Sequence, residues 1–278
     1  MKLLLLFGIL LSQLTYSQVT GLETVVKKEA DLFMYSEIMN YGKEPSAIHQ
    51  ENMKMIQDFT DEVMDVTPRN YRDARNISSD AVYDTLSQMR RNPVVSLYQY
   101  DKYDPDNEGI GFCFGRAMFA NMHLVAKGIE RDHIKKAFVI GHMETPDGAS
   151  WGWHVATIAR TERVNAKNEI IEDWYVVDPI VGYPMYITDW YKYMRDDFST
   201  DGKLRIWFTE PAKFGPSQNS FYTEQYIKHT SFNDYFVDMM AWFKSTFGEE
   251  GSIYDKENWY TNYKPAVRKV IPMNLENE

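Results

Sequence analysis

The sequence predicts an α+β fold in which one helix packs on a mainly antiparallel sheet, with helical segments flanking it on both sides. Two observations indicate this: apolar residues recur at helical spacing in the first hundred residues and near the C-terminus, and short apolar runs fill the region between. We therefore expect a signal peptide at 1–17, a helical region at 18–93, a central domain at 94–215 and a helical segment at 216–278 packed on that domain.

The N-terminal region has a helical pattern between about residues 22 and 89, broken by turn formers at 67–70. Ser46 can cap one helix and Ser79 can start another. Each helix has one apolar face, formed by Ile48, Ile56, Phe59 and Val63 in the first and by Val82, Leu86 and Met89 in the second. This region is either an integral helical lobe or a pro-region that covers a site until it is cleaved.

Strands are expected where short apolar runs end at glycine, proline or polar turns. These runs lie at 94–100, 137–141, 151–159, 170–177, 184–187 and 204–208. The tail from 221 to 247 is expected to be helical, with a packing stripe of Tyr235, Met239, Trp242 and Phe243.

The extreme N-terminus has the pattern of a secretory signal, since Lys2 precedes an apolar run at 3–14 and small residues follow it. We therefore expect a secreted or periplasmic protein that has no membrane association once the signal is removed. The formal net charge of −10 argues against nucleic acid or an anionic membrane as a partner. A single cysteine excludes an intramolecular disulfide and leaves one thiol to explain.

That cysteine, Cys113, lies where a turn-rich segment at 103–109 gives way to a helical pattern that stops at Gly128. A thiol in the first turn of a helix faces unpaired backbone N–H groups and the positive end of the helix dipole. Both favour the thiolate, which is the nucleophilic form. Taken alone, a single cysteine is more often a buried structural residue.

His154 and Asp178 lie on two strands that a polar turn predicts to form an antiparallel hairpin. A three-residue loop at 165–167 sets His154 directly across from Asp178, Ala156 across from Val176, and Ile158 across from Trp174. A two-residue loop at 166–167 would put Asp178 on the other face. We predict the first register, which brings imidazole and carboxylate together.

A thiol, an imidazole and a carboxylate together are what nucleophilic catalysis requires. Cys113 would attack, His154 would hold and deliver the proton, and Asp178 would fix the tautomer of the ring. The backbone N–H of Cys113 is a natural oxyanion donor, and the second donor is not assigned.

Three segments carry a resemblance: CFGRA at 113–117, WGWHVA at 151–156 and VVDP at 176–179. Together they resemble the catalytic blocks of bacterial protein-glutaminases, and their order is similar to that in the wider transglutaminase-like and papain-like cysteine enzymes. The resemblance implies that Cys113 is the nucleophile, His154 the general base and acid, and Asp178 the orienting acid.

The implied reaction is hydrolysis of the side-chain amide of protein-bound glutamine to glutamate and ammonia through a Cys thioester. The expected partners are proteins or peptides with exposed glutamine, and no cofactor is implied. The alternatives are a transglutaminase-type cross-linker, a papain-like cysteine peptidase and a non-enzymatic exported binding protein.

Trp151 and Trp153 flank His154 in sequence and are candidates for lining the substrate groove, although packing within the sheet is the simpler expectation. His123, His133 and His142 lack the spacing of a helical metal site, so we predict no metal.

Overall fold

A computed structural model of the chain describes residues 25–26, 30–65, 79–97, 102–104, 111–146, 148–164, 170–220, 222 and 232–247. The predicted signal peptide, the breaker at 67–70 and the turn at 165–168 lie outside these residues. The helices are α1 (Leu32–Asn40), α2 (Pro45–Asp65), α3 (Ser79–Arg91), α4 (Cys113–Ala126), α5 (Ile187–Tyr193) and α6 (Asn233–Phe247). The strands are β1 (Val25–Val26), β2 (Ile134–Glu144), β3 (Ser150–Val164), β4 (Ile170–Val177), β5 (Met185–Tyr186) and β6 (Arg205–Thr209).

The six strands form one mixed sheet in the order β1-β6-β2-β3-β4-β5. Only the short β1 pairs in parallel, with β6, and every other neighbouring pair is antiparallel. This confirms the predicted α+β class, with the cysteine helix α4 packed on a mainly antiparallel sheet and helices before and after it. No helix in the described part of the chain combines the length and apolar character needed to cross a bilayer.

Helices cover both faces of the sheet, and each face has its own apolar core. The first core joins α1, α3, α4 and α6 to one face, around Phe119, Phe138 and Met239. The second core joins α2 and α5 to the other face, around Phe59, Ile158 and Trp190.

Buried polar contacts tie the N-terminal helices to the sheet. The guanidinium of Arg205, on β6, is fully buried and donates to Asn40 Oδ1 of α1 at 2.7 Å and to Glu51 Oε2 of α2 at 3.0 Å. Asn52 of α2 donates to the hydroxyl of Tyr191 at 2.7 Å, and Ser36 of α1 accepts from the indole of Trp207 at 2.8 Å. Helices α1 and α2 therefore satisfy polar groups that the sheet buries.

Most predicted helices and strands are confirmed, with shifted ends. The predicted apolar faces are buried at Ile48, Ile56 and Phe59 of α2 and at Val82, Leu86 and Met89 of α3. Helix α2 begins at Pro45, one residue before the predicted cap Ser46. The helix α4 does start at Cys113 and ends before Gly128, which has a φ of 90°.

Two predicted strands are wrong, the one at 94–100 over all of its described residues and the one at 184–187 in part. Residues 98–100 lie outside the described part of the chain. Residues 93–97 form turns because the side chain of Asn92 accepts from the backbone N–H groups of Val94 and Val95, at 2.8 and 3.2 Å. The strand expected at 184–187 is reduced to β5, and the chain then enters α5, whose buried Ile187, Trp190 and Tyr191 recur at helical spacing.

Candidate active site

Cys113 is the first residue of α4, and the residue before it has an unusual backbone. Phe112 has a φ of 44° and a ψ of 17°, the left-handed conformation that L-residues rarely adopt. Its ring stacks on Tyr235 of α6 with centroids 4.7 Å apart. The guanidinium of Arg116, one turn along the helix, donates to the carbonyl of Gly111 at 2.5 Å. The sharp entry into α4 is thus fixed by packing and by a charge-assisted hydrogen bond.

The hairpin of β3 and β4 has a different register from the predicted one. Ile158 lies across from Val176 rather than Trp174, a shift of two residues, and the ladder ends at Thr157 and Val177. An even shift keeps every side chain on its predicted face. His154 and Asp178 are therefore diagonal rather than directly opposed.

The diagonal offset still brings the two side chains together, because a long imidazole can reach a neighbour two positions along. His154 Nε2 lies 2.7 Å from Asp178 Oδ2, and both residues are buried. Asp178 Oδ2 also accepts from the indole Nε1 of Trp190 at 3.0 Å, and Asp178 Oδ1 accepts from the backbone N–H of Ile180 at 3.2 Å. The carboxylate has three donors and is held rigidly.

The thiol of Cys113 completes the cluster. It is hydrogen-bonded to the imidazole of His154 and to the backbone N–H of Val155, and the residue exposes 8% of its surface. Because Asp178 occupies Nε2, the ring nitrogen left for the sulfur is Nδ1. Strand β3 can offer the N–H of Val155 because its pairing with β4 begins only at Thr157.

The electrostatics of the three groups favour a thiolate–imidazolium pair. Burial alone would raise the pKa of the Cys113 thiol, but the hydrogen bond and charge of His154, together with Arg116, hold it below its ordinary value. Burial alone would lower the pKa of His154, but Asp178 and Cys113 raise it to about 9. Burial would raise the pKa of Asp178, and the imidazolium, Trp190 and Ile180 lower it.

The two tryptophans that were candidates for substrate contact pack into different cores. Trp153 is half-buried against Phe138 on the α4 side, with ring centroids 6.0 Å apart. Trp151 is half-buried against Phe198 on the opposite side, with centroids 5.8 Å apart. Neither ring contact involves the Cys113 cluster, and their role in substrate contact stays a prediction.

Sequence reasoning missed Trp190, the partner of Asp178. Its signal was present, since Ile187, Trp190, Tyr191 and Met194 have the spacing of a helix buried on one face. Arg116 was noted only as part of a motif, and its position three residues after Cys113 would have placed both on one helix face.

The described site brings together a thiol at the start of a helix and an imidazole and a carboxylate from two neighbouring strands. Residues 88–194, which contain all three groups, match a protein-family model described as Glutaminase. The match confirms that this central segment resembles the protein-glutaminases. A wider placement among transglutaminase-like enzymes stays a prediction.

No curated protein matches the chain at a significant level. Among solved structures, a crystal structure of protein-glutaminase shares 17% identity over 54% of this chain and 80% of its own, with a TM-score of 0.36. The NMR structure of protein-glutaminase from Chryseobacterium proteolyticum shares 16% identity over 68% of this chain and 90% of its own, with a TM-score of 0.37. A crystal structure of pro-protein-glutaminase shares 17% identity over 54% of this chain and 53% of its own, also at 0.37.

Proposed function

We propose that the protein is an exported protein-glutaminase that hydrolyses the side-chain amide of protein-bound glutamine through a thioester on Cys113. The observation that carries the proposal is the hydrogen-bonded series Cys113–His154–Asp178, inside the segment that matches the glutaminase family. Export is supported by the signal-like N-terminus of the sequence.

In the acylation step the Cys113 thiolate adds to the amide carbon of the glutamine side chain. The oxyanion that forms lies at the start of α4, where the backbone N–H of Cys113 is free of intrahelical pairing and can donate to it. The C–N bond then breaks as His154 gives its Nδ1 proton to the leaving nitrogen, so ammonia departs and a thioester remains.

Deacylation runs through the same ring. Neutral His154 takes a proton from water as the water oxygen adds to the thioester carbon. The C–S bond then breaks, the thiolate returns, and the product is glutamate. Asp178 keeps Nε2–H directed away from the sulfur throughout, so that the ring presents Nδ1 to the reacting atoms.

The deciding experiment incubates the protein with a casein-like substrate and measures ammonia, covalent multimers and chain fragments. Ammonia release without multimers or fragments supports the proposal. Multimers would favour a cross-linker and fragments a peptidase, and no product of any kind would favour a binding protein.

Three variants link that activity to the site. We expect Cys113→Ala and His154→Ala to abolish ammonia release while melting cooperatively. His123→Ala is the matched control, because His123 is also buried and hydrogen-bonded, to Thr85 at 2.9 Å, but lies in the last turn of α4. It should lose stability and keep its turnover; full activity in either site variant would refute the proposal.

A further inference from the structure

A fully buried lysine lies behind the candidate nucleophile and has no part in the mechanism above. Lys136, on β2, has no exposed surface. Its Nζ donates to the carbonyl of Lys213 and to the hydroxyl of Tyr222, both at 2.8 Å, and lies 4.3 Å from the centre of the Tyr222 ring. Burying an ammonium group is expensive, so such a lysine needs a structural or chemical reason.

The hydrogen bonds from Lys136 have a fixed direction. A backbone carbonyl can only accept, so the hydroxyl of Tyr222 uses its own proton on a carbonyl and accepts from Lys136 Nζ. That proton goes to the carbonyl of Phe114, at 2.5 Å. Phe114 directly follows Cys113, so a chain of hydrogen bonds runs from β2 into the first turn of the nucleophile helix.

The first turn of α4 needs such restraint. It has no side-chain cap, and it follows Phe112, whose left-handed backbone is a strained conformation. A second tie of the same kind lies one turn further on, where Thr157 of β3 donates to the carbonyl of Ala117 at 2.5 Å. Tyr222 and a side chain from the sheet thus hold two carbonyls, one turn apart, of the helix that carries the sulfur.

Negative charge on Cys113 is felt at both Lys136 and Tyr222. Burial lowers the pKa of Lys136 well below its ordinary value, and negative charge on Cys113 opposes that shift. The same charge raises the pKa of Tyr222, on top of the effect of burial. Lys136 and Tyr222 therefore both lie within electrostatic range of the thiolate. Side chains that restrain the helix turn of the thiolate must lie this close to it.

We propose that Lys136 and Tyr222 are positioning residues for the reaction. Lys136 orients the Tyr222 hydroxyl, and that hydroxyl fixes the Phe114–Gly115 peptide in the first turn of α4. This keeps the sulfur and the backbone N–H of Cys113 directed at the substrate. This inference rests on the proposed function only for its effect on turnover, because the effect on the thiol can be measured without substrate.

The test uses Tyr222→Phe, which deletes a single oxygen, and Lys136→Met, which deletes the ammonium and keeps the chain length. We expect kcat to fall about ten- to a hundredfold with KM nearly unchanged, since small misplacements of a nucleophile have effects of that size. The rate at which iodoacetamide alkylates Cys113 should fall in parallel. If Lys136→Met does not fold, Tyr222→Phe decides alone.

Tyr191→Phe is the matched control, because Tyr191 is equally buried and its hydroxyl accepts from Asn52 in the second core. It should lower the melting temperature and leave alkylation and kcat within about twofold of the native protein. Native alkylation of Cys113 in Tyr222→Phe, or an equal loss in Tyr191→Phe, would overturn the inference. If the native protein releases no ammonia, the proposed function fails, and the alkylation rates still test the positioning role.

Discussion

The indole of Trp190 and the imidazole of His154 share one carboxylate oxygen of Asp178, at 3.0 and 2.7 Å. Two donors on one oxygen fix the plane of the carboxylate and favour its charged form. The charged form of Asp178 in turn raises the pKa of His154, the proposed proton donor. The indole of Trp190 therefore acts on His154 through Asp178.

We predict that Trp190→Phe lowers kcat about ten- to a hundredfold, because one hydrogen bond to a charged group is worth ~1.5–3 kcal/mol. Steady-state kinetics on a glutamine-containing peptide would measure it. Trp207→Phe is the control: Trp207 is also fully buried and donates through Nε1, but to Ser36. Equal losses in the two variants would mean that lost packing, and not the bond to Asp178, causes the effect.

The pH dependence of turnover should follow the proton on His154. That proton must be present for ammonia to leave, so activity should be level through neutral pH and fall as the pH rises through about 9. Asp178→Asn removes the charge that raises this pKa, so the basic limb should move to lower pH. A profile of kcat for both proteins would decide, and an unmoved limb in Asp178→Asn would contradict the assignment.

The stability of the protein should also depend on the protonation of His154, and the direction of this dependence can be stated. The pKa of His154 is raised from 6.5 to about 9 on folding, so protonation of the ring stabilises the native state. That contribution is fully present below pH 6.5 and is lost as the pH rises through about 9. Melting temperatures of the native protein and His154→Ala across this range should therefore converge as the pH increases.

Gly115→Ala should disrupt the site from the side of α6. A Cβ at this position would lie well inside contact distance of Tyr235 Cε1 and 2.9 Å from its Cζ, and that ring is buried and stacked on Phe112. Overpacking of this kind costs ~1–3 kcal/mol and should also displace the entry to α4.

Chemical denaturation and alkylation of Cys113 would measure the two effects. Gly111→Ala is the control, since a Cβ there meets nothing within 4 Å. Adding Tyr235→Ala to Gly115→Ala should recover part of the loss, because it removes the ring that the new methyl group meets. Independent, additive effects of the two changes would show that the contact is not the cause.

We propose, from their contacts with the sheet, that helices α1 and α2 are needed in the active protein and are not removed from it. Without α1 and α2, Arg205 would lose both Asn40 and Glu51, and Phe208 would lose the ring of Phe59 that stacks on it at 3.9 Å. A protein beginning at residue 92 should therefore be unfolded or inactive. Full activity from such a truncation, measured beside one beginning at residue 25, would identify the region as a pro-region.

The sequence predicted the strand faces and the helix start of the candidate site better than the exact pairing of its strands. A cysteine at a helix start and the faces of His154 and Asp178 followed from local patterns, since turn formers and strand alternation are local properties. The hairpin register did not, because it depends on a loop whose length is not marked in the sequence. The error was harmless only because it was an even number of residues.

What sequence could not supply came from distant parts of the chain. The bond from Tyr222 to Phe114 joins residues 108 positions apart, and that from Asn52 to Leu204 joins residues 152 apart. Sequence periodicity does not indicate such pairs, because each partner fits the helix or strand pattern of its own segment. The left-handed Phe112 is a similar case, since a bulky aromatic residue gives no sign of that conformation.

The single sulfur has a practical consequence. Cys113 is the sole thiol in 278 residues and is hydrogen-bonded to His154, so any electrophile that bonds to thiol has one destination per molecule. The mass increment of the intact protein then reports modification of Cys113 alone, so its reactivity can be followed in any preparation before a substrate is found.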